Sequence, residues 1–242
     1  MEFDMQELID SQVRDPFFSR KNTVFPSVLD GGPVVVKVFA KDTASRALNE
    51  RTVLERCFEK GVSVPGVIAH RDNVLVMEFV EGETLSDALD DIWLTESLSG
   101  EEGRSRLDSI AKSLGVWLAS FHNAFDYNIR RGDAITRNFI LSQKKVTGID
   151  FEESAEADVI DDIGEICSSV LSMHPMFTVE KTRFCKEIAN SYFAVSGSQR
   201  MKGLESAVSR ALRRYAPFRE DGGLMIQMAD DIDRKGLWSV DD

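Results

Sequence analysis

The sequence predicts an α+β chain in two parts: a small β-rich N-terminal lobe carrying one helix, then a larger, mainly helical C-terminal lobe. Up to about residue 80 the strongest local signals are strands, interrupted by a single amphipathic stretch. Beyond that point the apolar residues recur at helical spacing, and the stretches 1–80 and 81–242 are expected to form one domain overall.

In chain order, Thr23–Leu29 and Pro33–Phe39 flank Asp30-Gly31-Gly32, a turn that reads as a β-hairpin. A helix is expected from about Thr43 to Lys60, with Gly61 as its C-terminal stop. Val74–Val80 (VLVMEFV) is a further strand, rich in β-branched and bulky residues. The clearest helix covers 104–124, where Leu107, Ile110, Ala111, Leu114, Trp117, Leu118 and Phe121 make one continuous apolar stripe. Asn138–Leu141 and Val146–Asp150 form a short β-like pair. A helix over 159–173 carries Ile160, Ile163, Cys167, Val170 and Leu171 on one side and is ended by Pro175. Further helices are expected at 179–194 and 203–215.

Composition narrows the function classes. The 242 residues hold 29 Lys+Arg against 41 Asp+Glu, a formal charge of -12, which opposes generic nucleic-acid binding because such affinity comes from neutralising phosphates with cations. No run approaches the roughly 20 apolar residues that span a bilayer, so no membrane is expected as a partner. Cys57, Cys167 and Cys185 lack metal-ligand spacing and suit reduced thiols. The first residues are acidic, with neither the basic nor the apolar segment of a secretory signal, and a cytoplasmic location is expected.

Polar residues then stand where an apolar one is expected. Lys37 lies inside VVVKVF and by strand alternation shares a face with Val35 and Phe39. Glu50 lies in the apolar stripe of the next helix, spaced by three, four and seven from Ala47, Leu54 and Cys57. Each is costly to bury alone, and the two offset each other if paired. Further on, Asp133 and Asn138 bracket a short loop before one strand, and Asp150 ends the next. Asn138 and Asp150 are hard oxygen donors suited to Mg²⁺, while Asp133 is suited to accept or orient a proton.

In this order, and with the right element under each, Lys37, Glu50, Asp133, Asn138 and Asp150 resemble the motif set of the protein-kinase-like superfamily. The resemblance implies a two-lobed protein-kinase-like fold, with residues 1–80 binding the nucleotide and 81–242 providing catalysis and the acceptor site. It implies that Lys37 holds the ATP phosphates with Glu50 as its partner, and that Asp133 is the catalytic base. Asn138 and Asp150 would be the metal ligands for Mg²⁺, with Mn²⁺ as a substitute. Val76–Gly82 looks like the hinge, where the Glu78 carbonyl and the Val80 amide would bond adenine and Met77 would line the back of its pocket. No glycine precedes Gly31, so the turn near Ser19–Thr23 would cover the phosphates with Arg20 or Lys21. Arg131 stands where relatives carry His, and Glu152 where they carry Gly.

Two branches of the superfamily compete. Asp150-Phe151-Glu152 with Asp161-Asp162-Ile163-Gly164 is similar to aminoglycoside phosphotransferases and choline kinases. Val62–Pro65, Met77–Gly82 and Thr136–Leu141 are similar to the small kinase of the KEOPS complex and, more distantly, to RIO kinases. Asp150 and Asp161 have ten residues between them, too few for a peptide-docking activation segment. The expectation is an ATP- and Mg-dependent transfer of the γ-phosphoryl group to a hydroxyl, with a small-molecule acceptor as the main reading. Its support is the acidic residues Asp87, Asp90, Asp91, Glu96, Glu101, Glu102, Glu152, Glu153, Glu156 and Asp158, suited to attract an amine. The alternatives are a KEOPS- or RIO-type Ser/Thr protein kinase or ATPase, acting on a protein substrate with a complex partner, and a silent nucleotide-binding pseudokinase. His122 reads as a packing residue, Asp162 as a helix cap or a brace beneath the Asp133 loop, and Arg210, Arg213 and Arg214 as a small basic face.

Overall fold

The computed structural model describes residues 8, 16–17, 21–40, 43–94, 100–143, 145–197 and 203–238. Ser19, Arg20 and Glu96, named above, lie outside them. The chain divides into two compact units, Met1–Glu81 with Gly148–Ser154, and Gly82–Thr147 with Ala155–Asp242.

The first unit is an antiparallel sheet of order β1-β2-β4-β3, with β1 Thr23–Leu29, β2 Gly32–Val38, β3 Val67–Arg71 and β4 Val74–Glu78. Asp30 and Gly31 both take positive φ, the two-residue turn whose twist matches its flanking strands. Phe25, Val34, Val36, Val74 and Val76 build the core beneath this sheet. Helix α1, Ala44–Glu59, buries Ala47, Glu50, Val53, Leu54 and Cys57, and ends where Gly61 takes φ 73. The expected third strand stops two residues early, at Glu78, and β3 is a strand the sequence reading did not place.

The second unit is mainly helical. Its helices are α2 Leu85–Leu94, α3 Glu101–Ala124, α4 Ile160–Leu171, α5 Val179–Ser196, α6 Leu204–Tyr215 and α7 Gly222–Lys235. Three short strands, β5 Glu83–Thr84, β7 Phe139–Ser142 and β8 Lys145–Gly148, form one sheet, and β6 Ile129–Arg130 pairs with β9 Ala155–Glu156. Helix α3 packs on α5, and α6 packs on α4 and α7. The α4–α6 crossing is close because residue 164 is Gly: a Cβ there would lie 2.6 Å from the Ala207 carbonyl carbon. That approach carries the last turn of α6 toward the loop that follows β6. The small β-rich part and the larger helical part are the architecture the sequence predicted.

Candidate functional site

In the first unit, strand alternation turns Lys37 inward and the helical stripe turns Glu50 toward it; their side chains are 5% and 1% exposed and meet at 2.6 Å. The same ammonium reaches Asp150 at 2.7 Å and Glu152 at 3.3 Å, and lies 4.8 Å over the Phe39 ring. Burial alone would lower the Lys37 pKa, but the charges of Glu50, then Asp150 and Glu152, outweigh it and raise it above the ordinary lysine value. Lys37 is therefore a cation throughout the neutral range. Burial pushes the Glu50 carboxyl up despite Lys37, and its second oxygen accepts the Phe151 amide at 3.2 Å.

Oxygens of Glu50, Asp150 and Glu152 lie within 4.8 Å of one another, a hard-oxygen donor set of the kind divalent cations take. Asp150 is the accessible member, with 41% of its side chain exposed against 1% for Glu50 and 7% for Glu152. Its φ of 63° lies in the left-handed region, which Asp tolerates better than bulkier residues.

The segment after Asp150 is tied down from three directions. Asn49 donates to the carbonyls of Glu152 at 3.3 Å and Ser154 at 2.9 Å, and Asn22 donates to the Glu152 carboxylate at 2.5 Å. Lys21 and Arg46 both reach Glu153, at 2.7 and 2.5 Å, and hold its carboxyl below the ordinary Glu value, the Lys21 hydrogen bond contributing most. Lys21, expected opposite phosphate, thus faces a carboxylate. Glu152 and Glu153, read as attractants for an amine, are occupied by this protein's own cations and amide.

The hinge-like residues sit at the end of β4. Met77 is buried, in register between Val35 and Val67. Glu78 donates its amide to the Gly66 carbonyl at 2.9 Å, and its carboxylate accepts the Gly66 amide at 3.0 Å. A Cβ at residue 66 would lie 2.8 Å from that carboxyl carbon. Val80 follows the strand end and is half-buried.

In the second unit, the residues around Asp133 are fixed through their main chain. Asp162 is fully buried and accepts the amides of Arg131 and of Gly132, the latter at 3.1 Å, with His122 Nε2 at 3.0 Å. Burial opposes ionisation of Asp162, but His122, Arg130 and the Arg131 amide outweigh it and hold the carboxyl below the ordinary Asp value. The first amide of α4, that of Ile160, goes to Asp158 Oδ1 at 3.1 Å, while the Asp162 carboxylate serves Arg131, Gly132 and His122, so Asp162 is the brace beneath the loop and not the helix cap. His122 is a buried strut whose other ring nitrogen meets the Tyr192 hydroxyl at 2.9 Å.

Arg131 is buried completely. Its guanidinium donates to the carbonyls of Gly132 at 3.0 Å, Asp133 at 2.8 Å and Asn138 at 3.1 Å, and lies 4.8 Å over the Phe139 ring. It thereby welds both ends of the loop. Glu165 adds a further anchor by accepting the Ala134 amide at 3.0 Å. Asp133 is half-buried with φ 46°, a second aspartate in the left-handed region. Asn138, closing the 3₁₀ turn Thr136–Asn138, donates to the Asp133 carbonyl at 2.9 Å and carboxylate at 3.1 Å.

Sequence reasoning missed Asn22, Arg46, Asn49, Glu165 and Tyr215, whose phenol donates to Asp133 at 3.3 Å. Each is an ordinary polar residue in its local pattern, and only its partner makes it notable. The Arg210, Arg213 and Arg214 face is internally paired, with Asp161, with Asp230 and Asp233, and with Glu165. Among the described residues, no helix is long and apolar enough to cross a membrane.

The RIO domain family matches residues 39–158. The chain is 31% identical over 123 residues to the KEOPS complex subunit Bud32 of Pyrococcus abyssi (strain GE5 / Orsay), covering 48% of this chain and 50% of that protein. It is 29% identical over 126 residues to the EKC/KEOPS complex subunit bud32 of Dictyostelium discoideum, covering 50% and 47%. The chain thus spans about half the length of these curated relatives. Among solved structures it is similar to WaaP in complex with acyl carrier protein, with TM-score 0.57, 15% identity, and 95% and 92% of the two chains covered. It is also similar to the amicoumacin kinase hAmiN in complex with AMP-PNP, Ca²⁺ and Ami, with TM-score 0.64, 13% identity, and 97% and 95% covered. The sequence relatives lie on the KEOPS and RIO side and favour that alternative over the small-molecule main reading.

Proposed function

We propose that this chain, which belongs to the protein-kinase-like superfamily, is an ATP- and divalent-metal-dependent phosphotransferase of the atypical Ser/Thr protein kinase or ATPase type. The observation that carries the reading is the buried Lys37–Glu50 pair with Asp150 on the same ammonium. A lysine held cationic by an acid it cannot leave is suited to phosphate, and an accessible aspartate beside it is suited to a metal. Support for the protein-kinase branch comes from the RIO domain match and from relatives named as KEOPS subunits, which also make a complex partner part of the proposal.

In this reading Lys37 binds the ATP phosphates, and Met77, Glu78 and Val80 receive the adenine. Asp150 and Asn138 are the metal ligands, and both offer the oxygen donors Mg²⁺ prefers. Bound there, the metal would neutralise charge on the phosphates. Asp133 orients the acceptor hydroxyl and takes its proton, water serving in the same place when ATP is hydrolysed. Arg131 keeps Asp133 and Asn138 at fixed separation by gripping both carbonyls, so alignment precedes binding. A second reading, a small-molecule kinase, is favoured by the fold similarity to amicoumacin kinase over 97% of the chain.

Incubation of wild type and Asp150→Ala with [γ-³²P]ATP and cell extract, followed by separation of labelled protein from labelled small molecules, tests both. Label in protein, lost in Asp150→Ala and in EDTA, is expected. Label confined to small molecules would favour the second reading. Wild type that turns over no ATP with any acceptor would sink both.

A further inference from the structure

The two carboxylate oxygens of Asp133 are in different hands. Oδ2 accepts from Asn138, a member of the same loop, at 3.1 Å. Oδ1 accepts from the phenol of Tyr215, the last residue of α6, at 3.3 Å. A general base needs the reacting hydroxyl within hydrogen-bond reach of its oxygen. Asn138 takes one acceptor site of Oδ2 inside the loop, and at Oδ1, the oxygen turned toward α6, a hydroxyl of this protein already takes one of the sites an acceptor hydroxyl or a water would use.

That hydroxyl is held there by packing. Gly164 lets α6 press against α4, and Arg214, next to Tyr215, pairs with Glu165 at 2.6 Å while lying 5.5 Å from the Tyr215 ring centroid. Glu165 in turn accepts the amide of Ala134, the residue after Asp133. Burial, followed by the charges of Glu165 and Asp133, raises the phenol pKa above the ordinary tyrosine value. At neutral pH the phenol is therefore protonated and donates.

We infer that Tyr215 is a specificity-determining residue whose phenol competes with water for the Oδ1 oxygen of Asp133 and weakens it as a base toward water, so that phosphoryl passes preferentially to an acceptor hydroxyl that displaces the phenol. The inference rests on the phosphotransferase reading above. In the hydrolysis it suppresses, a water oxygen forms a bond to the γ-phosphorus as the bond from that phosphorus to the ADP oxygen breaks. The water proton passes to Asp133. A phenol donating to Oδ1 takes one of its acceptor sites and makes Asp133 a weaker base for water, whereas a bound acceptor brings its own contacts to displace the phenol.

The test is steady-state phosphate release by the full chain with Mg·ATP and no acceptor, comparing wild type, Tyr215→Phe, Asp133→Ala and the double variant. Tyr215→Phe keeps the ring and removes only the hydroxyl. Hydrolysis should rise about tenfold in kcat, a fraction of the roughly 10²–10⁴-fold a general base can contribute. KM for ATP and the melting temperature should stay near wild type, and the double variant should show no rise. A merely structural Tyr215 would instead shift the melting temperature or KM. Hydrolysis by Tyr215→Phe at or below the wild-type rate overturns the inference, as does phosphate recovered on Tyr215 itself. If that occurs while wild type still labels an acceptor in extract, only the role of Tyr215 against water fails. If neither protein turns over ATP and no acceptor is labelled, the phosphotransferase reading fails and this inference with it.

Discussion

The Lys37 cluster and the Asp133 loop are both polar, both partly buried and both centred on an aspartate in the left-handed region, yet they are held in opposite ways. Around Lys37 the central links are side chain to side chain and ionic: one ammonium, three carboxylates, then Arg46 and Lys21 beyond them. Around Asp133 the links run mainly from side chain to backbone: Asp162 to two amides, Glu165 to a third, Arg131 to three carbonyls. Ions of this sort exchange partners when another charge arrives, because a phosphate or metal can replace what the carboxylates or lysine supplied. Backbone anchors offer no such exchange. The first region is built to respond to charge, and the second to stay still.

The largest effect should come from breaking the ionic region. Lys37→Met leaves Glu50 buried without its cation, at a cost of about 3–5 kcal/mol in urea unfolding, and abolishes phosphoryl transfer. Adding Glu50→Gln should recover part of the stability and none of the activity. Next is Arg131→Met, which removes a charged donor from three buried carbonyls and should cost about 2–4 kcal/mol. Its signature is a fall in kcat of at least about tenfold with KM for ATP little changed, whereas a milder Lys37→Arg should raise that KM. Equal effects of both variants on KM would erase the distinction.

Acid titration separates the regions further. The folded-state pKa of Asp162 is below its unfolded value, so its contribution is complete above the ordinary Asp pKa and is lost as pH falls through the folded value. Asp162→Asn should therefore flatten the loss of stability in melts taken from pH 5 downward. The smallest effect is expected from Glu152→Gly. Lys37 retains its closer partners at 2.6 and 2.7 Å and Arg46 retains Glu153, so no cation is left unpaired and the loss should stay within about 1–2 kcal/mol. A larger loss would show that the tie to Asn22 and Arg46 matters more than the charge on Lys37.

Much of this was legible along the chain. Glu50 stood out because a carboxylate in an apolar helical stripe demands a partner, and Lys37 because it interrupts a valine run. Helix α2 lies where no helix range was predicted, although Leu85, Ala88, Leu89, Ile92 and Trp93 follow helical spacing and all are buried. Strand β3 gave no signal, being a short run of half-buried and exposed residues with no buried one, and α7 begins on two glycines that read as a break. Arg131 and Asp162 were seen but not resolved, because a guanidinium or carboxylate has the same local pattern whether it faces solvent, a helix end or a neighbouring loop.

What the sequence determined by itself is therefore the element under each reactive residue, because periodicity is a property of neighbours three or four positions away. It also determined that certain charges must find partners, because an unpaired buried ion is too costly to keep. Which partners they find was decided only by the tertiary structure. Lys37 meets Asp150 across 113 positions and Asn22 meets Glu152 across 130, and Tyr215 reaches Asp133 across 82 only because Gly164 lets two helices close together. Contacts at that separation depend on how elements pack, and no local pattern of charge or apolar spacing records it.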